Sequence, residues 1–385
     1  MSSFLLILSY ISDWVILIIF AAVGYVIGNI TPNKRPFNLD SPDINYPYRG
    51  YDTVSLGVAF VVSVVAPAAL ILILILILLL VPALCVKNTR AAKYNVWRRI
   101  FWEWHAGWLG LALSVVLAFF FTSGMKNVFG KPRPNLLSRC QPDVLNVAKY
   151  AVSYSTSATG RLVSAGICTN QDNSIVEDGF RSFPSGHSSA AASGLVYFSL
   201  WLAAKLRVGV PFLLGGTIDE SENSIKSRSH HTRATADLEE ANTETRHDDE
   251  AYPTSHLLTH SARRQDAAAP IYLLVIALIP FGAAIYICAS RWYDFQHHGF
   301  DIIFGFLMGA FSSVLAFKYY HLPVSRGAGF AWAPRSEQKA FWSGMGNGGF
   351  SNRRRFYRLN ETSDSPLHAA QNQLADDGSY QMHAV

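Results

Sequence analysis

The chain has 385 residues, and its 32 basic and 27 acidic residues make up only 15% of it, against about 25% in soluble domains. This low charge content argues against an ordinary soluble globular protein. The net charge of +5 is modest and the basic residues are scattered among acidic ones, which excludes the clustered Lys and Arg of a nucleic-acid-binding protein.

Six apolar runs are long enough to cross a membrane. The longest, 53–86, contains no charged residue, and it spans the bilayer with tilt or with one end buried in protein. The other five cover roughly 14–30, 106–125, 188–204, 270–290 and 302–317. A buried core helix is the alternative for the shortest runs, but six such runs together have no soluble interpretation. The sequence therefore predicts an all-α polytopic membrane protein with six transmembrane helices.

Two polar stretches separate or follow these spans. Residues 216–267 are rich in Ser, Thr, acidic residues, Arg and His, and predict a disordered cytoplasmic loop. Residues 321–385 predict a disordered cytoplasmic tail. The membrane domain is therefore expected in two parts, 1–215 with spans one to four and 268–320 with spans five and six.

Basic residues in short loops predict the orientation, because Lys and Arg accumulate on the cytoplasmic side. The connection 87–99 carries five basic residues, whereas 29–52 carries three. The residues before the first span carry none, which taken alone favours the opposite orientation. With the denser loop inside, the segments 126–187 and 291–301 are expected on the lumenal or extracellular face.

Three polar segments lie at the span ends that this orientation brings to one face. They are KNVFGKPRP with Lys126 and Arg133, RSFPSGHSS with Ser185, Gly186 and His187, and SRWYDFQHHGFD with Arg291, His297 and Asp301. Alone, the first also fits cations at lipid headgroups, and the second fits a turn with a Ser helix cap.

Together these residue types fit phosphoryl transfer. His297 and Asp301 are four residues apart, so on a helix the carboxylate would reach a ring nitrogen of the histidine and leave the other free to attack. Three cations would stabilise the charge on the phosphate oxygens, and a second histidine, His187, would protonate the departing oxygen. The competing interpretation is a pair of interfacial residues that satisfy each other.

In order and spacing, these motifs resemble the tripartite signature of the type 2 phosphatidic acid phosphatase superfamily, the lipid phosphate phosphatases. Lys, six residues and Arg-Pro are followed by Pro-Ser-Gly-His, and then by Ser-Arg, five residues, His, three residues and Asp. The segments 130–140, 178–189 and 290–309 are similar to the fungal and plant diacylglycerol pyrophosphate and phosphatidate phosphatases. The resemblance implies a helical core like that of acid phosphatases and vanadium haloperoxidases.

The resemblance also implies residue roles. His297 would be the nucleophile that forms a phosphohistidine, Asp301 its orienting partner and His187 the acid. The phosphate would be held by Lys126, Arg133, Arg291, Ser185 and Gly186. No metal or other cofactor is implied. Gln296 and Gly299 depart from the subgroup, which often has Arg and Trp there; neither position is expected to be essential.

Three smaller expectations follow from the residues. Cys140 and Cys168 share the predicted lumenal loop, which predicts a disulfide between them. Gly305 and Gly309 predict close packing of a neighbouring helix. His298 is expected to be structural, pointing away from the face of its neighbour His297.

The resemblance implies an enzyme that acts on phosphatidate and diacylglycerol pyrophosphate, and possible substrates include lysophosphatidate. Phospholipid phosphates and membrane lipid are the expected partners. A phosphatase for sphingoid base phosphate or polyprenyl diphosphate would share every catalytic residue and stays open. A non-catalytic lipid-binding or transport relative is disfavoured, because such relatives typically lack the nucleophile and the acid. The sequence does not identify the organelle or the oligomeric state.

Overall fold

A computed structural model describes residues 2–80, 90–152, 162–208, 269–322, 331–335 and 340–341. The predicted loop 216–267 and most of the predicted tail 321–385 lie outside these residues. The chain divides into two compact units, one of Met1–Ser12 with Arg335–Val385 and the other of Asp13–Pro334. In the smaller unit, the Arg335 guanidinium donates hydrogen bonds to the carbonyl and hydroxyl oxygens of Ser9, at 3.3 and 2.6 Å.

The described residues are mainly helical. In chain order the helices are α1 (Ser2–Gly28), α2 (Leu56–Phe60, Val61–Val65, Ala66–Ile75 and Leu76–Leu80 in succession), α3 (Arg90–Phe129), α4 (Leu136–Cys140), α5 (Val147–Tyr150), α6 (Asn173–Asp178), α7 (Gly186–Ala191, Ala192–Val196 and Tyr197–Lys205 in succession), α8 (Ile271–Tyr293) and α9 (Gly299–Tyr320). The segments Val61–Val65, Leu76–Leu80 and Ala192–Val196 have π-helical turns. Short 3₁₀ turns cover Pro42–Ile44 and Ala165–Ile167.

Five described helices are long and apolar enough to cross a membrane: α1, α2, α3, α8 and α9. Large apolar side chains on their outer surfaces are exposed, as lipid-facing side chains are. The fourth predicted span corresponds to α7, which is not among these five. It is rich in Ser, Ala and Gly and is buried along most of its length. The chain is a multi-pass membrane protein, with α7 as an inner helix rather than a lipid-facing one.

Small residues allow the helices around α7 to approach closely. A side-chain carbon added at Gly194 would lie 1.7 Å from the carbonyl oxygen of Ser63 on α2. One at Gly309 on α9 would lie 2.4 Å from the Ser189 carbonyl oxygen, and one at Gly305 would lie 2.6 Å from that of Ser185. The predicted close packing at Gly305 and Gly309 is therefore confirmed. Helix α9 also packs along α3, which surrounds α7 with helices on several sides.

Two features of the loops complete the fold. Helix α3 already begins at Arg90, so much of the predicted connection 87–99 is helical rather than loop. At the other end of α3, the strands β1 (Phe37–Asn38) and β2 (Leu162–Val163) pair in antiparallel fashion. The predicted Cys140–Cys168 disulfide is present beside them and is thereby confirmed. A small apolar core, including Phe37, Leu136 and Phe180, holds these loops together.

Candidate active site

The three predicted motifs meet at one end of the helix bundle. Lys126 lies in the last turn of α3, and Arg133 follows that helix. Ser185 caps the beginning of α7, and its backbone N–H donates a 3.0 Å hydrogen bond to the backbone carbonyl of Asp301 in the first turn of α9. Arg291 lies in the last turn of α8. The structure therefore brings all eight predicted site residues to the same end of the bundle, which is called the site end below.

His297 lies in the turn between α8 and α9 and is 2% exposed. Its ring Nδ1 is 2.6 Å from the backbone carbonyl oxygen of Ser182. Because a carbonyl can only accept, Nδ1 carries the hydrogen, and the neutral ring keeps its lone pair on Nε2. Burial lowers the pKa of His297 well below its usual value, and the charges of Arg133 and Lys126 lower it further. The ring is therefore neutral near pH 7 and suited to nucleophilic attack.

The predicted hydrogen bond between Asp301 and His297 is wrong. The Asp301 carboxylate instead contacts Lys131 Nζ at 2.7 Å, the Ser182 hydroxyl at 2.6 Å and His298 Nδ1 at 3.2 Å. The physical reason is that α9 begins only at Gly299, with His298 as its cap, so His297 precedes the helix and the four-residue spacing does not bring the two side chains to one face. Ser182 connects the two residues, since its hydroxyl donates to the Asp301 carboxylate and its carbonyl accepts from the His297 ring.

His298 has the structural role that its sequence position indicates. It forms a reciprocal capping pair with Asp301 at the beginning of α9. Its Nδ1 also lies 3.3 Å from the Ser182 hydroxyl, and its Nε2 lies 3.3 Å from the backbone carbonyl of Asp43. These contacts connect α9, the Pro-Ser-Gly-His segment and the loop after α1.

The second histidine, His187, lies in the first turn of α7. Its ring lies near the backbone of Val54, and its Nε2 is buried with no hydrogen-bond partner among the described residues. Arg291, Lys126 and Arg133 all lie close enough to act electrostatically on this ring. A bound phosphate would offset the charge of these cations, so an unpaired Nε2 at this position could exchange a proton with a leaving oxygen.

Arg133 is held by a network that the sequence did not reveal. Its Nε and Nη2 donate to the carbonyl and carboxylate oxygens of Asp178 at 2.8 and 2.7 Å, and its Nη1 donates to Gln296 Oε1 at 2.8 Å. Arg139 binds the same two partners, Asp178 Oδ2 at 2.9 Å and Gln296 Oε1 at 2.9 Å. Burial raises the pKa of the Asp178 carboxyl, but the guanidinium groups of Arg133 and Arg139 outweigh burial and bring that pKa to about 2. Asp178 is therefore ionised at every physiological pH.

Arg291 is held equally firmly and is 1% exposed. Its Nη2 donates to the Val54 carbonyl and to Asp294 Oδ2, both at 2.9 Å, and its Nη1 lies 3.2 Å from Asp52 Oδ1. Gln296 Nε2 also donates to Asp52 Oδ1, at 3.1 Å. Gln296 therefore connects the surroundings of Arg133 with those of Arg291, although its departure from the subgroup pattern suggested a dispensable position.

Lys126 and Gly186 line the remaining side of the site. No hydrogen bond or ion pair of Lys126 is observed within the described residues, so its ammonium group differs from the firmly paired Arg133 and Arg291. A side-chain carbon at Gly186 would lie 3.5 Å from Lys126 Nζ. The Ser185 hydroxyl accepts a hydrogen bond from the Ser188 hydroxyl at 2.9 Å and so serves the helix cap. In the described parts of the chain, no group of three or more His, Cys, Asp or Glu side chains is arranged to hold a metal ion.

Several partners of the site residues lie inside or beside the motifs: Ser182, Lys131, Arg139 and Asp178. Only their proximity in the sequence could have indicated them. Asp52 and Val54 come from the loop before α2, far from every motif, and no sequence pattern indicated them.

Comparison with known proteins gives a consistent family. The sequence profile of the PAP2 superfamily matches residues 107–218 and 249–324, which include every motif described above. Diacylglycerol pyrophosphate phosphatase 1 of Saccharomyces cerevisiae is 25% identical over 82% of this chain and 80% of its own length. Lipid phosphate phosphatase 2 of Arabidopsis thaliana is 29% identical over 52% of this chain.

A cattle relative, phospholipid phosphatase 2 of Bos taurus, is 28% identical over 46% of this chain. The matches cover 58% of the plant protein and 55% of the cattle protein, so they extend over little more than half of each. No solved structure matches the chain. The profile match, the yeast, plant and cattle relatives and the three motifs agree, and the chain belongs to the PAP2 superfamily.

Proposed function

We propose that this chain is an integral membrane lipid phosphate phosphatase that dephosphorylates phosphatidate and diacylglycerol pyrophosphate, with lysophosphatidate as a further substrate. One observation carries the proposal. The buried His297 ring binds the Ser182 carbonyl through Nδ1 and keeps Nε2 for chemistry, and the partly buried His187 has an Nε2 with no partner among the described residues; Arg133 and Lys126 lie close to both rings. The family and the names of its relatives support a lipid phosphate as the substrate.

In the first step, the lone pair of His297 Nε2 attacks phosphorus. The bond from phosphorus to the leaving oxygen breaks as the nitrogen–phosphorus bond forms, which yields a phosphohistidine. Protonated His187 gives its Nε2 proton to the leaving oxygen, so diacylglycerol departs from phosphatidate, and phosphatidate departs from diacylglycerol pyrophosphate. His187 then keeps its Nδ1 hydrogen and has a free lone pair on Nε2.

In the second step, that lone pair takes a proton from water, which attacks the phosphohistidine. The nitrogen–phosphorus bond breaks, inorganic phosphate is released and His297 returns to its neutral form. Lys126, Arg133 and Arg291 stabilise the negative charge on the phosphoryl oxygens in both steps, the function that metal ions have in other phosphatases. We infer that the enzyme is independent of Mg²⁺.

We also propose that the site faces the lumen or the exterior. The five basic residues of segment 87–99 support this orientation, and so does the Cys140–Cys168 disulfide next to Arg139, because disulfides form in oxidising compartments. In sealed vesicles whose outer surface is the cytoplasmic face, a Leu145→Cys variant should react with an impermeant maleimide only after permeabilisation. Ser224→Cys, in the polar loop, should react before permeabilisation. The reverse pattern, measured against the parent chain, would contradict this orientation.

The function is tested by phosphate release from the purified protein in detergent with EDTA. Phosphatidate, diacylglycerol pyrophosphate, a sphingoid base phosphate and a polyprenyl diphosphate serve as parallel substrates. We expect His297→Ala to lower release by roughly 10³-fold or more and to abolish the phosphohistidine seen after alkaline quenching. His187→Ala should slow both the formation and the hydrolysis of the phosphohistidine without abolishing it, because His187 transfers a proton in both steps.

His105→Ala is the matched control, because His105 lies on α3 about 30 Å from Lys126 at 1.5 Å per residue. It should leave release unchanged. Full activity of the His297→Ala protein would overturn the mechanism, and loss of activity in EDTA would overturn the independence of Mg²⁺. Preference for the sphingoid or polyprenyl substrate would show that the same catalytic residues act on a different lipid phosphate.

A further inference from the structure

The charges around the proposed phosphate site are nearly balanced by acidic side chains. Apart from the Lys131–Asp301 ion pair, the network has four cations, Lys126, Arg133, Arg139 and Arg291, and three carboxylates, Asp52, Asp178 and Asp294, which pair with the three arginines. Arg133 and Arg139 share the single carboxylate of Asp178. Arg291, in contrast, has two carboxylates to itself.

The two acidic partners of Arg291 differ in their surroundings. The side chain of Asp294 is 1% exposed, and it also accepts hydrogen bonds from the backbone N–H and hydroxyl of Thr53, at 2.8 and 2.6 Å. Asp294 therefore neutralises Arg291 and anchors the loop before α2. This one carboxylate is sufficient to compensate the buried guanidinium charge.

Asp52 is the second partner and is not needed for that compensation. Its side chain is 31% exposed, against 1% for Arg291, so it lies on the solvent side of the guanidinium. Both of its observed contacts, with Arg291 Nη1 and Gln296 Nε2, use the same oxygen, Oδ1. Because Gln296 directly precedes His297, Asp52 brings a negative charge beside the residue next to the proposed nucleophile.

We propose that Asp52 sets the phosphate affinity of this site, and that its negative charge weakens binding of phosphate anions and speeds release of the inorganic phosphate product. The inference rests on the proposed function for its substrate. A site with four cations and two carboxylates would hold a phosphate dianion tightly, and the third carboxylate opposes that binding by direct repulsion. Asp52 is thus a specificity-determining residue rather than a catalytic one.

The test is the affinity of the purified protein for inorganic phosphate and orthovanadate, by direct binding and by inhibition. Asp52→Asn keeps an oxygen for Arg291 and Gln296 but removes the charge. We expect phosphate and vanadate to bind roughly tenfold more tightly, because a like charge near a partly exposed anion site is only partly screened. The KM for phosphatidate should fall as well. The gain in affinity should shrink as NaCl is raised, since screening removes the repulsion that the substitution removes.

Two further variants control the result. Asp143→Asn changes the net charge equally in a loop near the site end, and Asp143 contacts no site residue in the described chain, so it should leave the phosphate affinity unchanged. Asp52→Glu keeps the charge and should stay within about twofold of wild type. Equal or weaker phosphate binding by the Asp52→Asn protein would overturn the inference and assign Asp52 to holding Arg291 in place.

Failure of the proposed function would be recognised separately. If wild-type protein bound phosphate and vanadate but released no phosphate from any lipid, the function would be wrong while the effect of Asp52→Asn on binding would still be measured. If wild type hydrolysed phosphatidate and Asp52→Asn left binding unchanged, only the inference about Asp52 would be lost. A folded Asp52→Asn protein is recognised by an unchanged Tm.

Discussion

Both ends of the bundle bury a histidine side chain, but only at the site end is a ring nitrogen of that histidine bound by a described residue. At the site end, His297 and Arg291 are almost fully buried and bound by backbone carbonyls and carboxylates. About 33 Å away at the other end of α9, His321 is buried with neither ring nitrogen bonded to a described residue. It stacks on Phe317 at 5.1 Å, near the 2.5 Å ion pair of Lys205 and Glu103.

The difference teaches that burial and residue type do not by themselves make a reactive histidine. A ring nitrogen becomes a nucleophile when the other nitrogen is held by an acceptor, since that contact fixes both the hydrogen and the direction of the lone pair. His297 has such an acceptor in Ser182, and among the described residues His321 has none. The comparison can be tested by making similar substitutions at both ends.

The largest expected difference is between two separate variants, in which phenylalanine replaces either His297 or His321. His297→Phe should lower phosphate release by roughly 10³-fold or more, because no lone pair remains to attack phosphorus. His321→Phe should keep release within about twofold and leave the Tm unchanged or higher, because it removes two buried polar atoms without partners and keeps the ring stack. Similar losses of release from both substitutions would erase the distinction between the two ends.

The next effect concerns the disulfide, which lies only at the site end. Replacing Cys140 and Cys168 together with alanine should lower the free energy of unfolding by about 3–4 kcal/mol, from the entropy of a loop closed over 28 residues. Cys288→Ala, at a buried free cysteine on α8, provides the comparison and should cost less. Thermal unfolding with and without reductant measures both. A reductant-insensitive Tm of the wild-type protein would contradict this prediction.

A smaller effect is expected from removing one of two serine hydroxyls, of which one is hydrogen-bonded and the other has no partner among the described residues. Ser182→Ala removes the hydroxyl bound by Asp301 but keeps the carbonyl that holds His297, so kcat should fall roughly tenfold with little change in KM. Ser199 on α7 is buried with no hydroxyl partner among the described residues, and Ser199→Ala should leave kcat unchanged. Ser182→Thr should restore much of the activity. A change in KM alone would show that Ser182 binds substrate rather than positions His297.

The smallest effect is the pH dependence that Asp178 gives to stability. Its folded pKa of about 2 lies below the usual 3.8, so its contribution is complete above about pH 4 and is lost as pH falls towards 2. The difference in Tm between wild type and Asp178→Asn should therefore be constant from neutral pH to about pH 5 and shrink in more acidic buffer. Because 40% of the Asp178 side chain is exposed, solvent screens its ion pairs and keeps this difference modest.

Much of this arrangement could be predicted from the sequence because it is encoded locally. Long apolar runs are sufficient to indicate spans, and the motifs at their ends name residue types that fit one kind of chemistry. Helix α7 was harder to classify, since its small and polar residues reflect burial among other helices rather than contact with lipid.

The contacts that hold the site could not be predicted, because they depend on tertiary geometry. The four-residue spacing of His297 and Asp301 suggested a shared helix face, but helix ends are poorly fixed by sequence and α9 begins two residues too late. Likewise, nothing in the sequence around Asp52 or Val54 indicates that the loop before α2 folds back onto Arg291.

Val54, in the loop before α2, connects that helix with the site. Its carbonyl oxygen accepts a hydrogen bond from Arg291, which is proposed to bind the phosphate, and Val54 lies two residues before α2 begins. A change in the tilt of α2 in a thicker or thinner bilayer would be transmitted to Arg291 through this bond. We expect phosphate release by protein reconstituted in bilayers of different acyl-chain length to vary with bilayer thickness, and equal release in all of them would contradict this coupling.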